Sequence, residues 1–103
     1  MSKRLEMLEK LVASGTSDPF AWYGLAMELR SLGQRERSLE TFRALRARTP
    51  DYVPLYLMAA QVGIELGDQI AAREFAEAGL VVAEQKGDGK AHGELETLIA
   101  GLV

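Results

Sequence analysis

Apolar residues recur along most of the chain at the three-and-four spacing of amphipathic helices. The first such run has Leu5, Leu8 and Val12, and the last has Leu95, Leu98 and Ile99. No stretch alternates apolar and polar residues for long enough to predict a β-strand. The pattern therefore predicts six helices, at about 3–14, 19–32, 35–48, 52–66, 69–85 and 90–102.

Polar and glycine-containing stretches mark the predicted helix ends. Asp18 is suited to cap a helix that has Pro19 at its first position. Two Leu-Gly pairs place glycine where a left-handed residue ends a helix. The segment Thr49-Pro50-Asp51 is predicted to stop one helix and cap the next, and Asp68 to cap the one after. The loops are short, so we expect neighbouring helices to pack antiparallel.

The two Leu-Gly pairs belong to an internal repeat. Sliding the chain by 34 residues aligns Leu32-Gly33 with Leu66-Gly67. At the same offset Trp22 meets Tyr56, and further identities are Ala26 with Ala60, Glu40 with Glu74 and Ala44 with Ala78. These matches lie at positions that have structural roles in helices, so they indicate a repeated helical unit.

The repeated unit resembles the tetratricopeptide repeat, whose signature is W-x2-L-G-x2-Y, then A-x3-F, then P. The first unit has Trp22-x2-Leu25-Ala26-x2-Leu29, Ser38-x3-Phe42 and Pro50. The second has Tyr56-x2-Ala59-Ala60-x2-Gly63 and Ala72-x3-Ala76, with Glu84 in place of the proline. The tail, "GDGKAHGELETLIAGL", resembles the closing helix of small stand-alone bacterial repeat proteins.

This resemblance implies an all-α fold, a short right-handed α-solenoid of antiparallel helix pairs. The 103 residues suffice for one domain, 1–103. Within it we expect a flanking helix at 1–18, two repeats at 19–52 and 53–86, and a capping helix at 87–103. Flanking helices are expected because stacked repeats need their open ends covered.

Two apolar faces lie back to back on the second predicted helix. At about 100° per residue, one side carries Trp22, Leu25, Ala26 and Leu29 and the other carries Phe20, Tyr23 and Met27. The resemblance implies that the first face is core and that the second lines a concave groove. The predicted groove residues are Phe20, Tyr23, Met27, Arg30, Pro54, Leu57, Gln61 and Ile64. The alternative is that a terminal helix folds over this surface and makes it core.

The predicted groove indicates a non-catalytic adaptor or scaffold that binds another protein. Family members that grip acidic chaperone tails use Lys, Arg and Asn, a clamp that Tyr23, Met27, Leu57 and Gln61 cannot form. An amphipathic helix or an extended segment with large apolar anchors is the expected ligand. The alternative function is a structural subunit, for example of a homodimer, whose exposed apolar face is the self-association interface.

Charge is unevenly distributed along the chain. The net charge is −3, yet residues 30–48 contain six arginines against Glu36 and Glu40. We expect these arginines to form a solvated face with local pairs to Glu36 and Glu40. The other interpretation is an acidic partner, such as the acidic C-terminal half of another copy. Nucleic acid is disfavoured because the chain is acidic overall and has no recognised binding motif.

Catalytic chemistry has little support in the sequence. There is no cysteine, His92 is the only histidine, and no glycine-rich phosphate loop occurs. We therefore expect no catalytic residues, metal or cofactor. Charged residues interrupt the first apolar run, so we expect no signal peptide or membrane anchor and a cytoplasmic location.

Overall fold

A computed structural model describes residues 2–102, which form six α-helices. The helices are α1 (Lys3–Ala13), α2 (Pro19–Ser31), α3 (Arg35–Arg48), α4 (Pro54–Glu65), α5 (Gln69–Lys86) and α6 (Gly89–Ala100). Residues 2–102 contain no strand. The all-α prediction is confirmed, and every helix end lies within two residues of its predicted position. Met1 and Val103, the predicted ends of the domain, lie outside the described residues.

The helices pack as sequential antiparallel neighbours. The most extensive contacts join α2 to α3 and α4 to α5, while α1 covers α2 and α6 covers α5. α4 also contacts both α2 and α6, so these three helices lie side by side. The repeat bounds 19–52 and 53–86 remain predictions.

Most of the predicted helix ends are confirmed in their hydrogen bonds. The Asp18 carboxylate accepts from the Phe20 amide, and the Asp68 carboxylate accepts from the Ala71 amide, both at 3.0 Å. Gly33 and Gly67 have φ of 79° and 74°. In this left-handed conformation the following amide reaches back to the last turn, which satisfies a carbonyl that the helix leaves unpaired.

The start of α4 differs from the prediction. The helix begins at Pro54, and Val53 precedes it without a side-chain hydrogen bond to the helix. The segment Thr49-Pro50-Asp51 therefore stops α3 without capping α4. Asp51 instead forms an ion pair with Lys86, with 2.9 Å between Oδ2 and Nζ. This pair lowers the pKa of the Asp51 carboxyl, mainly through the hydrogen bond from Lys86.

The core is continuous from α2 to α6. Phe42, Tyr56 and Phe75 are fully buried at its centre, and Leu95 of α6 is buried with them. α6 approaches closely because Gly79 has no side chain. A Cβ at Gly79 would lie 2.6 Å from the Tyr56 Cβ and 2.9 Å from Leu95 Cδ1. α6 is therefore seated in the core through Gly79 and Leu95.

The N-terminal helix covers a different side of α2. Leu8 of α1 is buried with Leu25 and Leu29, in a small cluster separate from the main core. Gly24 leaves room for this contact, since a Cβ there would lie 3.2 Å from Leu8 Cδ2. Tyr23, on the predicted groove side of α2, packs against the main core and does not belong to this cluster.

Trp22 is half-buried, unlike its repeat equivalent Tyr56, which is 1% exposed. The indole N–H donates to the Thr16 carbonyl at 3.2 Å. The Arg48 guanidinium lies 4.6 Å from the centre of the ring. Trp22 therefore packs partly against the core, as predicted, and partly against Arg48 at the end of α3 through a cation–π contact.

No described helix has both the length and the apolar character needed to cross a membrane.

Candidate functional site

A cleft of about 220 Å³ opens where α2, α4 and α6 meet. Its apolar lining includes Tyr23, Leu57 and Leu95, and charged residues also line it. The remaining lining residues are Val53, Pro54, Met58, Asp88, Lys90, Ala91 and Glu94. Helices from three successive parts of the chain therefore build one cleft that both apolar and charged residues line.

Aromatic contacts hold Tyr23 in place at this cleft. Its ring packs edge-on against Phe42, with centroids 6.1 Å apart, and against Tyr52, at 5.6 Å. Such pairs favour a defined ring geometry. Burial raises the pKa of the Tyr23 phenol, and Tyr52 adds to this shift. Tyr23 therefore presents a neutral, preorganised surface at physiological pH.

The eight predicted groove residues divide into three sets. Tyr23, Pro54 and Leu57 line the cleft together. Phe20 and Ile64 are 65% and 45% exposed, and neither lines the cleft. The rest lie outside the cleft and are half-buried: Met27, Arg30 and Gln61.

Arg30 is occupied by an ion pair within the chain. Its Nε and Nη2 donate to the two carboxylate oxygens of Glu65 at 3.1 and 2.7 Å, and Nη1 lies 3.7 Å from Met58 Sδ. The hydrogen bond to Glu65 raises the pKa of Arg30. The guanidinium is thus matched by a carboxylate, and this end of α2 offers little uncompensated positive charge.

α6 supplies the wall of the cleft that the sequence reasoning missed. Ala91, Leu95, Lys90 and Glu94 all come from this helix. The 34-residue repeat could have predicted this wall, because Leu57 lies 34 residues after Tyr23 and Ala91 lies 34 residues after Leu57. Extending the repeat by one more step would have placed α6 beside α2 and α4.

The arginines of α3 bind neighbouring helices and not their own. Arg37 Nη2 lies 2.9 Å from Glu9 of α1, and Arg35 Nε lies 3.3 Å from Glu65 of α4. Arg43 and Arg46 share Glu74 of α5, at 3.4 and 3.7 Å. The prediction that the arginines of α3 pair with Glu36 and Glu40 is wrong, since neither glutamate forms an ion pair within residues 2–102.

Two of these arginines also lie over aromatic rings. The Arg43 and Arg46 guanidinium carbons are 5.4 and 5.8 Å from the centre of the Phe75 ring. The arginines of α3 therefore contact residues of four other helices, which are α1, α2, α4 and α5.

Metal-binding side chains do not converge in the described part of the chain. No group of three His, Asp or Glu residues is placed to hold an ion among residues 2–102. His92 lies on α6 with its Nδ1 3.2 Å from Glu96 Oε1, one turn further along the same helix.

Stacked antiparallel helix pairs with a cleft beside them define an α-helical repeat protein. No family model matches the sequence. A TPR repeat-containing protein of Pseudomonas aeruginosa is 28% identical over 98 residues, which cover 95% of this chain and 93% of the relative.

Two solved structures share the architecture. The solution structure of a tetratricopeptide repeat domain protein from Salinibacter ruber is 31% identical, with a TM-score of 0.74 over 79% of this chain and 82% of that one. A protein from Bordetella parapertussis is 26% identical, with a TM-score of 0.80 over 97% of this chain and 87% of that one. The chain belongs to the tetratricopeptide repeat family. Such proteins are generally protein–protein interaction modules and are typically non-catalytic.

Proposed function

We propose that this protein is a non-catalytic adaptor or scaffold that binds a partner peptide or helix in the groove along α2 and α4. The observation that carries the proposal is the preformed apolar cleft beside Tyr23 and Leu57. Phe20 extends the apolar surface, being 65% exposed on the same helix as Tyr23. Exposed apolar surface is typical of interaction sites.

The residue types at the groove favour an apolar ligand. Tyr, Phe, Met and Arg are enriched at the centres of protein interfaces. Because Glu65 compensates Arg30, the face that the sequence assigned to the groove has no free cationic clamp for an acidic tail. An amphipathic helix or an extended segment with large apolar side chains therefore fits best. The predicted cytoplasmic location remains a prediction.

Co-purification tests this proposal directly. Tagged wild type is compared with Phe20→Asp/Leu57→Asp, which places charge on the groove surface. The matched control is Ile70→Asp, because Ile70 is 84% exposed on α5 and lies outside the cleft. Proteins retained by the control and lost from the groove variant support the proposal, provided that circular dichroism shows all three folded. Equal capture by all three would overturn it.

A self-association interface on the same apolar face is the alternative function, and the exposure of Phe20 and Ile64 also favours it. Light scattering separates the two. A monomeric wild type supports the groove as a site for a different protein. A dimer that dissociates on Phe20→Asp supports the structural subunit.

A further inference from the structure

We propose that the cleft receives one large apolar side chain of the partner, and that Lys90 and Glu94 select an acidic and a basic residue flanking that anchor. This inference rests on the proposed function and deepens it. The size of the cleft, the charges in its lining and the packing of α6 on the core support it independently.

The size of the cleft favours a single side chain. Its volume of about 220 Å³ falls below the roughly 300–1,000 Å³ of pockets that hold drug-sized ligands. Tyr23, Leu57 and Leu95 give its lining one phenol and two large apolar side chains. Small, well-packed pockets of this type receive the apolar anchors that dominate binding energy in protein interfaces.

Two charged residues of the cleft lining, Lys90 and Glu94, are exposed. Among residues 2–102, no opposite charge lies within 4.0 Å of the charged atoms of Lys90 or Glu94. Asp88, the other charged lining residue, is engaged, since its carboxylate accepts from the Ala91 amide at 3.0 Å. Among residues 2–102, Lys90 and Glu94 are thus the charged lining side chains with neither an ion pair nor a hydrogen bond, and they complement a ligand that carries the opposite pair.

The order of the two charges argues against a purely helical role. Lysine four residues before glutamate is the weaker orientation for a stabilising pair within one helix. The arginines of α3, by contrast, reach carboxylates on neighbouring helices. Lys90 and Glu94, like Glu36 and Glu40, take no part in these ion pairs among residues 2–102, but they differ from those two in lining the cleft.

The backbone positions of Lys90 and Glu94 are set by the way α6 packs on the core. Leu95 is fully buried in the core, and its helix contacts α5 at Gly79. Four residues of α-helix rise about 6 Å. A ligand needs its acidic and basic groups at a similar separation, with the apolar anchor entering the cleft beside them.

The test uses a random peptide library displayed on phage and panned against wild type. We expect the selected peptides to share one large apolar residue with an acidic and a basic neighbour. A synthetic peptide of that consensus is then titrated by fluorescence polarisation. We expect Lys90→Glu/Glu94→Lys, which exchanges the two charges and keeps the net charge, to weaken binding roughly tenfold. A peptide with its own two charges exchanged should recover that loss.

The matched control is Arg73→Glu/Glu77→Arg, an exchange at the same spacing on α5, outside the cleft. This control should leave the affinity unchanged, and thermal melts establish that both exchange variants fold.

Different outcomes overturn the inference and the proposed function. The inference alone would be overturned by peptides that fail to bind the Leu57→Asp variant but bind the Lys90/Glu94 exchange variant and the Arg73/Glu77 control variant with equal affinity. A consensus without an apolar anchor would do the same. Failure to select any peptide, or selected peptides indifferent to Leu57→Asp, would overturn the proposed function and the inference with it.

Discussion

Arg30 and Glu65 form a two-point ion pair that joins α2 to α4, with N–O distances of 3.1 and 2.7 Å. Arg35 of α3 adds a third contact to the same carboxylate at 3.3 Å. One carboxylate thus connects three helices. Paired Arg–carboxylate geometry of this kind is stronger than a single-point surface contact.

The first prediction concerns the acid stability that this carboxylate contributes. Hydrogen bonding from Arg30 lowers the pKa of Glu65, and Arg35 contributes further. The carboxylate therefore stabilises the fold above the ordinary glutamate pKa, and this contribution is lost as the pH falls through the lowered value. We expect Glu65→Gln to cost about 1 kcal/mol at pH 7 and to lessen the stability loss below about pH 4.5.

Urea unfolding at a series of pH values measures this effect. Glu77→Gln is the control, because the nearest Glu77–Arg73 contact is 3.9 Å long. If both variants follow the wild-type pH dependence, the ion pair at Glu65 has no special role.

The second prediction contrasts two helical glycines. Gly79→Ala places a methyl 2.6 Å from the Tyr56 Cβ, and such overpacking exceeds the gain in helix propensity, so we expect a net loss of about 1–2 kcal/mol. A Cβ at Gly93 meets nothing within 4 Å. Gly93→Ala should therefore gain up to about 1 kcal/mol. Thermal melts of the two variants should move in opposite directions, and a shift in the same direction would contradict the packing described for α6.

The third prediction ranks two aromatic residues. Phe75 is fully buried, so Phe75→Ala should cost about 3–5 kcal/mol. Trp22 is half-buried, and Trp22→Ala should cost less, about 2–3 kcal/mol. Chemical denaturation of both variants gives the order. A larger loss at Trp22 than at Phe75 would show that the tryptophan is the stronger core anchor.

The fourth prediction concerns alkaline pH. Burial raises the pKa of Tyr23, Tyr52 and Tyr56. The Tyr56 hydroxyl also donates to the Pro50 carbonyl. These groups stabilise the fold fully below the ordinary tyrosine pKa of about 10, and the contribution is lost as the pH rises through the raised values. Ultraviolet titration should show tyrosine ionisation at a higher pH than in the unfolded chain, whereas three ordinary midpoints would contradict the burial of these rings.

The helices were predictable because local chemistry decides where they begin and end. Asp18 and Pro19 start a helix by capping and by fixed backbone geometry, and Gly33 ends one through its left-handed conformation. Asp51 was misassigned as part of a capping segment because its partner, Lys86, lies far along the chain. A contact between residues so distant in sequence leaves no local pattern.

The cleft was partly predictable for the same reason. The helical period placed Tyr23 on a separate face from Trp22, and the repeat offset paired it with Leu57. The period gave no indication that Glu65 compensates Arg30, since charge pairing between helices depends on tertiary packing. The role of α6 was obscured because its apolar residues, such as Leu95, are equally compatible with a simple cap.

Each helix packs mainly on its neighbours in the sequence, and this arrangement affects both the folding rate and the order in which the helices unfold. α1 contacts α2 broadly and reaches α3 through the Glu9–Arg37 pair, while α6 contacts α5 and α4. Contacts of short sequence range cost little loop-closure entropy, so the chain should fold on the microsecond-to-millisecond timescale of helical proteins. Disruption at one end should also fray that end first, because stability in stacked repeats passes from neighbour to neighbour. A substitution that releases α1 from Leu25 and Leu29 should therefore leave hydrogen-exchange protection in α5 nearly intact.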